Sequence, residues 1–144
     1  MDVTIREIAL DDGAGHEAYA AVWNTLVPRD PVTAEEVVEH RVRRRGADRR
    51  FLARVNWQIA GCALAVRSDL PGRTFARIAV LEPSRRNGIG TAFLELAIEE
   101  ARAQDSEILS SAVEEGDEAG EAFAARFGFV ERLREVEVIA PPRR

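Results

Sequence analysis

The apolar residues of this chain change period several times along its 144 residues, and that alternation constrains the fold more than any other feature. Val3 to Ile8 alternates polar and apolar side chains, the pattern of a half-buried strand. Asp11-Asp12-Gly13 breaks it. Tyr19, Ala20, Trp23, Leu26 and Val27 then recur at helical spacing up to Pro28, which has no N–H to continue a helix. Thr33, with Glu36 three positions on, is a capping box that opens a second helix bearing Val37, Val38 and Val42 and stopping near Gly46. Phe51 to Val55 and Ile59 to Val66 flank Asn56-Trp57-Gln58 and read as an antiparallel hairpin. Pro71-Gly72 is a turn, and Thr74 to Leu81 is a further strand. Ile89, Ala92, Phe93, Leu96, Ala97 and Ala101 share one face of a third helix. Ile108 to Val113 reads as a short strand, and Glu118 to Phe127 as a helix ended by Gly128. Phe129 to Ile139 is expected to return as strand, bent near Leu133–Arg134, before Pro141-Pro142. The order β-α-α-β-β-β-α-β-α-β implies an α/β (mixed α+β) fold, a mixed sheet with helices on its faces. No repeat or linker interrupts it, so residues 1–144 are expected to form one domain.

Apolar residues make up 46% and charged residues 31%, a balance that excludes disorder. No apolar run approaches the ~18 residues of a membrane span, and the polar start Met1-Asp2-Val3-Thr4 is not a signal peptide, so a cytoplasmic protein without membrane partners is expected. The single Cys62, with His16 and His40, excludes an internal disulfide and leaves no ligand set for a metal. All 20 basic residues are arginines, which rules out a Schiff-base lysine and a P-loop lysine. The net charge of −5 argues against nucleic acid as a partner. Against that balance stands the run Arg41-Val42-Arg43-Arg44-Arg45, read as a solvated helix end, where cations favour the helix dipole.

The stretch from Val80 to Thr91 carries the chemistry. A strand ends, a loop with two arginines and two glycines follows, and a helix begins. The first N–H groups of a helix lack intrahelical acceptors, and the macrodipole adds about half a positive charge there, so this is an anion cradle. Gly88 and Gly90 remove side chains that would keep a phosphate from the backbone, and Arg85 and Arg86 supply charge-assisted donors. A dinucleotide fingerprint fails because Phe93 stands where the third glycine belongs, and a P-loop fails for want of lysine.

Arg85-x-x-Gly88-x-Gly90, five residues past Val80 and running into a helix, resembles the acetyl-CoA signature of the GNAT N-acetyltransferase superfamily. Phe123-Ala124-Ala125-Arg126-Phe127-Gly128-Phe129 is similar to that superfamily's second motif, and the element order agrees over essentially the whole chain. The resemblance implies a central mixed, mostly antiparallel sheet of six to seven strands with about four helices, splayed between the fourth and fifth strands. It implies acetyl-CoA as co-substrate and no metal. The backbone of Val80, Leu81 and Glu82 would pair with the pantetheine arm. N–H groups of Arg85, Arg86, Asn87, Gly88, Ile89, Gly90 and Thr91 would hold the pyrophosphate. The amine would enter between the N-terminal helices and the last strands.

An amine with an unperturbed pKa near 10 must lose a proton before it attacks a thioester, so a base is required. The developing oxyanion wants an N–H donor, for which Val80 or Leu81 is the candidate. The departing thiolate wants a proton. Many members of the superfamily carry a Tyr directly after the Phe of the second motif for that purpose; here the position is Ala124. The chain's one tyrosine, Tyr19, reads as a core or cleft-wall residue. Some members place a basic Glu near the position of Thr74, which cannot serve. Glu82 borders the expected cleft and is the candidate base. Ser110 and Ser111 lie on the splayed strand, where one should face the thioester sulfur. Cys62 reads as core, and His16 and His40 as exposed helix residues. The chain is therefore expected to be an N-acetyltransferase that moves an acetyl group from acetyl-CoA to a small-molecule or peptide amine by direct attack in a ternary complex. The alternative, prompted by Ala124, is an acyl-CoA-binding domain with little or no catalysis. Exposed edge strands also admit a homodimer.

Overall fold

The computed structural model describes residues 2–85, 87–113 and 117–130, and these fall into two compact units divided between Ala112 and Val113. In the first unit a five-stranded sheet runs in chain order: β1 (Val3–Glu7), β2 (Asp48–Val55), β3 (Gln58–Arg67), β4 (Arg73–Val80) and β5 (Ile108–Ser110). The first three pairings are antiparallel, and β4 with β5 is parallel. The expected six to seven strands are thus five among the described residues. Phe129 and Val130, the described start of the expected last strand, are not in strand conformation, and the rest of that segment lies outside the described residues.

Helix α1 (Gly13–Leu26) begins earlier than its apolar spacing shows, because the Asp12 carboxylate accepts from the Gly15 N–H and caps it. Helix α2 (Ala34–Arg44) opens on the Thr33–Glu36 capping box: the Thr33 hydroxyl accepts from Glu36 N at 3.1 Å and the Glu36 carboxylate from Thr33 N at 3.0 Å. The β2–β3 connection is a two-residue hairpin in which Asn56 (φ 49°) and Trp57 (φ 73°) are both left-handed, the twist that matches right-twisted strands. Helix α3 (Ile89–Ala103) returns the chain from β4 towards β5.

Alternation along the strands sends side chains to two cores. Leu52, Cys62, Leu64 and Val66 pack with Tyr19, Val22 and Trp23 of α1, with Val27 just past its end and with Val37 of α2. Phe51, Ala53, Ala60, Ala63 and Ala65 pack with Ile89 and Phe93 of α3. On β4, Phe75 and Ala79 join the first core and Ile78 and Val80 the second. The expected face of α3 is the buried one, with Ile89 and Phe93 each 1% exposed.

Three polar assignments are corrected. Arg41 is no solvated helix end: it is 8% exposed and donates to the carbonyls of Ile8 (2.9 Å) and Asp48 (3.2 Å), with His16 Nε2 at 3.0 Å. His16 is buried between Arg41 and the Asp12 carbonyl. His40 is half-buried and bonds Asp48, which also accepts two bonds from Arg50. Spacing along a helix shows which face a residue shares, but a buried cation needs partners from other elements, and those are set by tertiary packing. Among the described residues, no helix is long and apolar enough to cross a membrane, and no three His, Cys, Asp or Glu side chains are grouped to hold a metal ion.

The second unit holds α4 (Glu118–Arg126), capped by the Asp117 carboxylate accepting from Gly120 N. Its end follows the expectation for Gly128, which sits at φ 83° while Gly128 N donates to Ala125 O and Phe129 N to Ala124 O.

Candidate active site

The sequence between Val80 and Thr91 folds around one unpaired strand edge. Pairing of β4 with β5 reaches Phe75↔Ser110 and stops, while β4 runs on to Val80. Val80 lies opposite Gly61 and the Leu81 N–H donates to Ala60 O. In an antiparallel pair, backbone groups of successive residues point to opposite edges, so Ile78 and Val80, beyond the last pairing with β5, turn their N–H and C=O groups away from β3, towards the gap where β5 has ended. Pairing thus ends part-way along the fourth and fifth strands, the pair between which the splay is expected. Leu81 is removed as an oxyanion donor because its N–H is already in the sheet. Val80 N–H is the remaining candidate.

Past Val80 the chain makes a 3-10 turn at Glu82–Ser84, with Pro83 presetting its backbone and Ser84 N donating to Leu81 O. Arg85 N donates to Glu82 O at 3.2 Å, and Arg85 Nε donates to Val80 O at 3.0 Å. Asn87 Nδ2 donates to Ser84 O. Arg86 lies outside the described residues. Gly88 then takes a left-handed conformation, φ 77° and ψ 6°, and caps α3 without any side-chain acceptor. The first helical bond from this cap is Ala92 N to Gly88 O, which leaves the N–H groups of Ile89, Gly90 and Thr91 without intrahelical acceptors at the positive end of a 15-residue helix. Among the described residues, a Cβ built on Gly88 meets nothing within 4 Å. The arrangement suits a phosphate at the helix start and an extended amide-bearing chain along β4.

The other residues singled out divide sharply. Glu82 is exposed, at the first position of the 3-10 turn. Ser110 Oγ lies 3.4 Å from Thr74 O as a donor, and Ser111 is exposed just past the end of β5. Thr74 is fully buried, its hydroxyl donating to Gln104 Oε1 (2.8 Å) and lying 2.7 Å from Ser106 Oγ. Tyr19 belongs to the core: it is fully buried, accepts from Arg50, and burial pushes its hydroxyl pKa upward. Cys62 is fully buried, and burial pushes its thiol up to about 12, so it is no nucleophile.

Two contributors escaped sequence reasoning. Gly61 sits against the end of β4, where a Cβ would come within 2.6 Å of Ala79 O. It also follows Ala60, the residue skipped as the β2 register passes from Ala53↔Gly61 to Arg54↔Ile59. Arg77, on the α1-facing side of β4, lays its guanidinium 5.5 Å from the centre of the Trp23 ring. A strand glycine is a signal for close backbone approach, and Gly61 is legible on that ground. A cavity of about 440 Å³ between α1 and α2, walled by His16, Glu17, Glu35 and Glu39, involves none of residues 80–91.

Comparison with known proteins agrees with this fold. The sequence model of the acetyltransferase (GNAT) family matches residues 15–129. No curated protein sequence matches significantly. Among solved structures, AAC(6')-Iy in complex with a CoA-containing bisubstrate analogue superposes with a TM-score of 0.76 at 16% identity, covering 99% of this chain and 100% of that one. Ard1 from Thermoplasma volcanium gives 0.75 at 18%, over 92% and 86% of the two chains. A ribosomal-protein-alanine N-acetyltransferase from Brucella melitensis biovar Abortus 2308 gives 0.67 at 19%, over 98% and 100%.

Proposed function

The chain belongs to the acetyltransferase (GNAT) family, and from that premise we propose that it moves an acetyl group from acetyl-CoA to an amine by direct attack in a ternary complex. The observation that carries this reading is the open edge of β4 leading from Ile78 to Val80 and onward to the uncovered N–H groups of Ile89, Gly90 and Thr91. A thioester bound along that edge brings its carbonyl oxygen to Val80 N–H, where negative charge develops as the amine nitrogen bonds to carbon and is given up again as the carbonyl re-forms and the C–S bond breaks to release the thiolate. The backbone of Glu82, with the loop residues Arg86, Asn87 and Gly88, completes the cofactor site. Glu82 takes the ammonium proton, directly or through one water. Ser110 and Ser111, where β5 leaves β4, offer hydroxyls to the departing thiolate, the task for which Ala124 carries no group. The net charge of −5 suits an acceptor that is cationic before it is deprotonated. Buried Cys62 gives no route through an acyl-enzyme.

Titration calorimetry with acetyl-CoA, beside CoA itself, tests the cofactor site; binding on the order of micromolar is expected, and no heat at millimolar cofactor overturns the reading. An amine panel scored by release of free CoA then tests transfer. Saturable binding with no release for any amine favours a binding domain over an enzyme. With an acceptor in hand, Glu82→Gln should lower kcat by roughly 10²-fold and leave the KM for acetyl-CoA unchanged. Equal losses in kcat at every pH, or none, would remove Glu82 as base.

A further inference from the structure

The geometry points to Arg85 as a positioning residue that sets the Val80–Leu81 peptide, rather than as the cation that neutralises a phosphate. This inference rests on the cofactor site proposed above. The peptide unit joining Val80 to Leu81 is held at both ends: its N–H donates to Ala60 O at 2.8 Å and its C=O accepts from Arg85 Nε at 3.0 Å. The second bond matters because Val80 is the last residue of β4, on the edge that β5 no longer covers. An exposed strand end with an unmade carbonyl bond frays, and fraying here would move both the Val80 N–H and the start of the phosphate loop.

Arg85 is poorly disposed to be a simple anion ligand. Its backbone N–H is taken by Glu82 O, and its side chain folds back along the loop to the strand it came from. The loop is thereby tied across its base by Arg85–Val80, inside by the turn at Glu82–Ser84, and near its end by Asn87–Ser84, so that Gly88 and the first turn of α3 are presented in one orientation. What this role needs is a donor three bonds beyond Cβ, not a charge. Glutamine carries one: its Nε2, like the arginine Nε, is attached to Cδ. Lysine keeps the charge but places its nitrogen one bond farther out. Methionine has the length and no donor.

Arg85→Gln, Arg85→Met and Arg85→Lys in the full chain separate the two roles. Each is titrated with CoA at several salt concentrations, and amide hydrogen exchange is followed over residues 80–85 without ligand. The positioning role predicts that Arg85→Gln binds CoA within about threefold of the parent with the same salt dependence. It predicts that Arg85→Met and Arg85→Lys each lose roughly tenfold, the loss of one well-made hydrogen bond. Exchange at Leu81 should quicken in the Met variant and not in the Gln variant. Retained binding in Arg85→Lys with loss in Arg85→Gln, and a flattened salt dependence, would make Arg85 a charge ligand and overturn the proposal. Unchanged binding and exchange in Arg85→Met would also overturn it. If the parent itself binds no CoA, the cofactor reading fails; the exchange pattern then decides alone whether Arg85 holds the strand end.

Discussion

Gly88 holds a φ of 77° at the head of α3, and a Cβ there meets nothing within 4 Å, so the requirement for glycine is conformational rather than steric. An L-residue in this region costs about 1–2 kcal/mol. Gly88→Ala should therefore lower stability by that amount in urea titrations, and Gly88→Val should in addition abolish CoA binding by standing over the Ile89–Thr91 donors. Unchanged CoA affinity in the valine variant would place the phosphate elsewhere. Cys62 makes the opposite point: its burial raises the thiol pKa to about 12 and keeps reagents away. The native protein at pH 8 should leave this thiol unlabelled by a disulfide reagent and release one equivalent on unfolding. Native labelling at the unfolded rate would contradict the packing of β3 against α1. Cys62 was legible as a core residue because that reading needs nothing beyond its own chemistry and near neighbours. His16 and Arg41 were not, since Arg41 finds its acceptors 33 positions away at Ile8 and 25 away at His16.

Elements in this chain begin and end where local chemistry says. The capping box at Thr33 is made in both directions, and Thr33→Ala should cost about 1 kcal/mol of stability, read from the urea midpoint. The β2–β3 turn carries strain that the sequence did not announce, because Trp57 occupies a left-handed position and is 85% exposed. Trp57→Gly should raise the thermal midpoint, relieving about 1 kcal/mol; a fall would mean that the ring has a partner. β4 depends on its neighbour as much as on itself. Gly61→Ala would push a methyl to 2.6 Å from Ala79 O, which belongs to the backbone and does not yield cheaply. The expected result is a loss of about 1–3 kcal/mol together with weaker CoA binding, because Val80 stands opposite.

In the sheet-bearing unit, charged side chains join elements that lie far apart in the chain. Glu7 of β1 receives two bonds from Arg49 of β2, which also bonds Glu100 of α3, and Asp48 gathers Arg50 and His40 of α2. The Arg49 bond chiefly holds the Glu7 carboxyl below its ordinary range, outweighing partial burial. Burial works to raise Asp48, but bonds and charge from Arg50 and His40 together bring it below the ordinary value. A carboxylate with a lowered folded pKa contributes stability that is complete above its unfolded pKa, near 4, and that is lost as pH falls through the folded value. The urea midpoint should stay level from pH 7 to about 5 and fall steeply below about pH 4. Glu7→Gln should make that fall shallower; an unaltered acid limb would remove Glu7 from it.

Period, caps and turn residues laid out the order of the described strands and helices, the buried face of α3 and the uncapped, glycine-led start of that helix, because each is decided within a few residues of chain. The arrest of β4–β5 pairing at Phe75, the use of Leu81 N–H by β3, the fold-back of Arg85 onto Val80 and the burial of His16 and Arg41 were decided by tertiary structure alone. Each depends on which backbone groups remain unpaired once the sheet has formed, and hydrogen-bond partners separated by tens of residues leave no periodic trace in the chain.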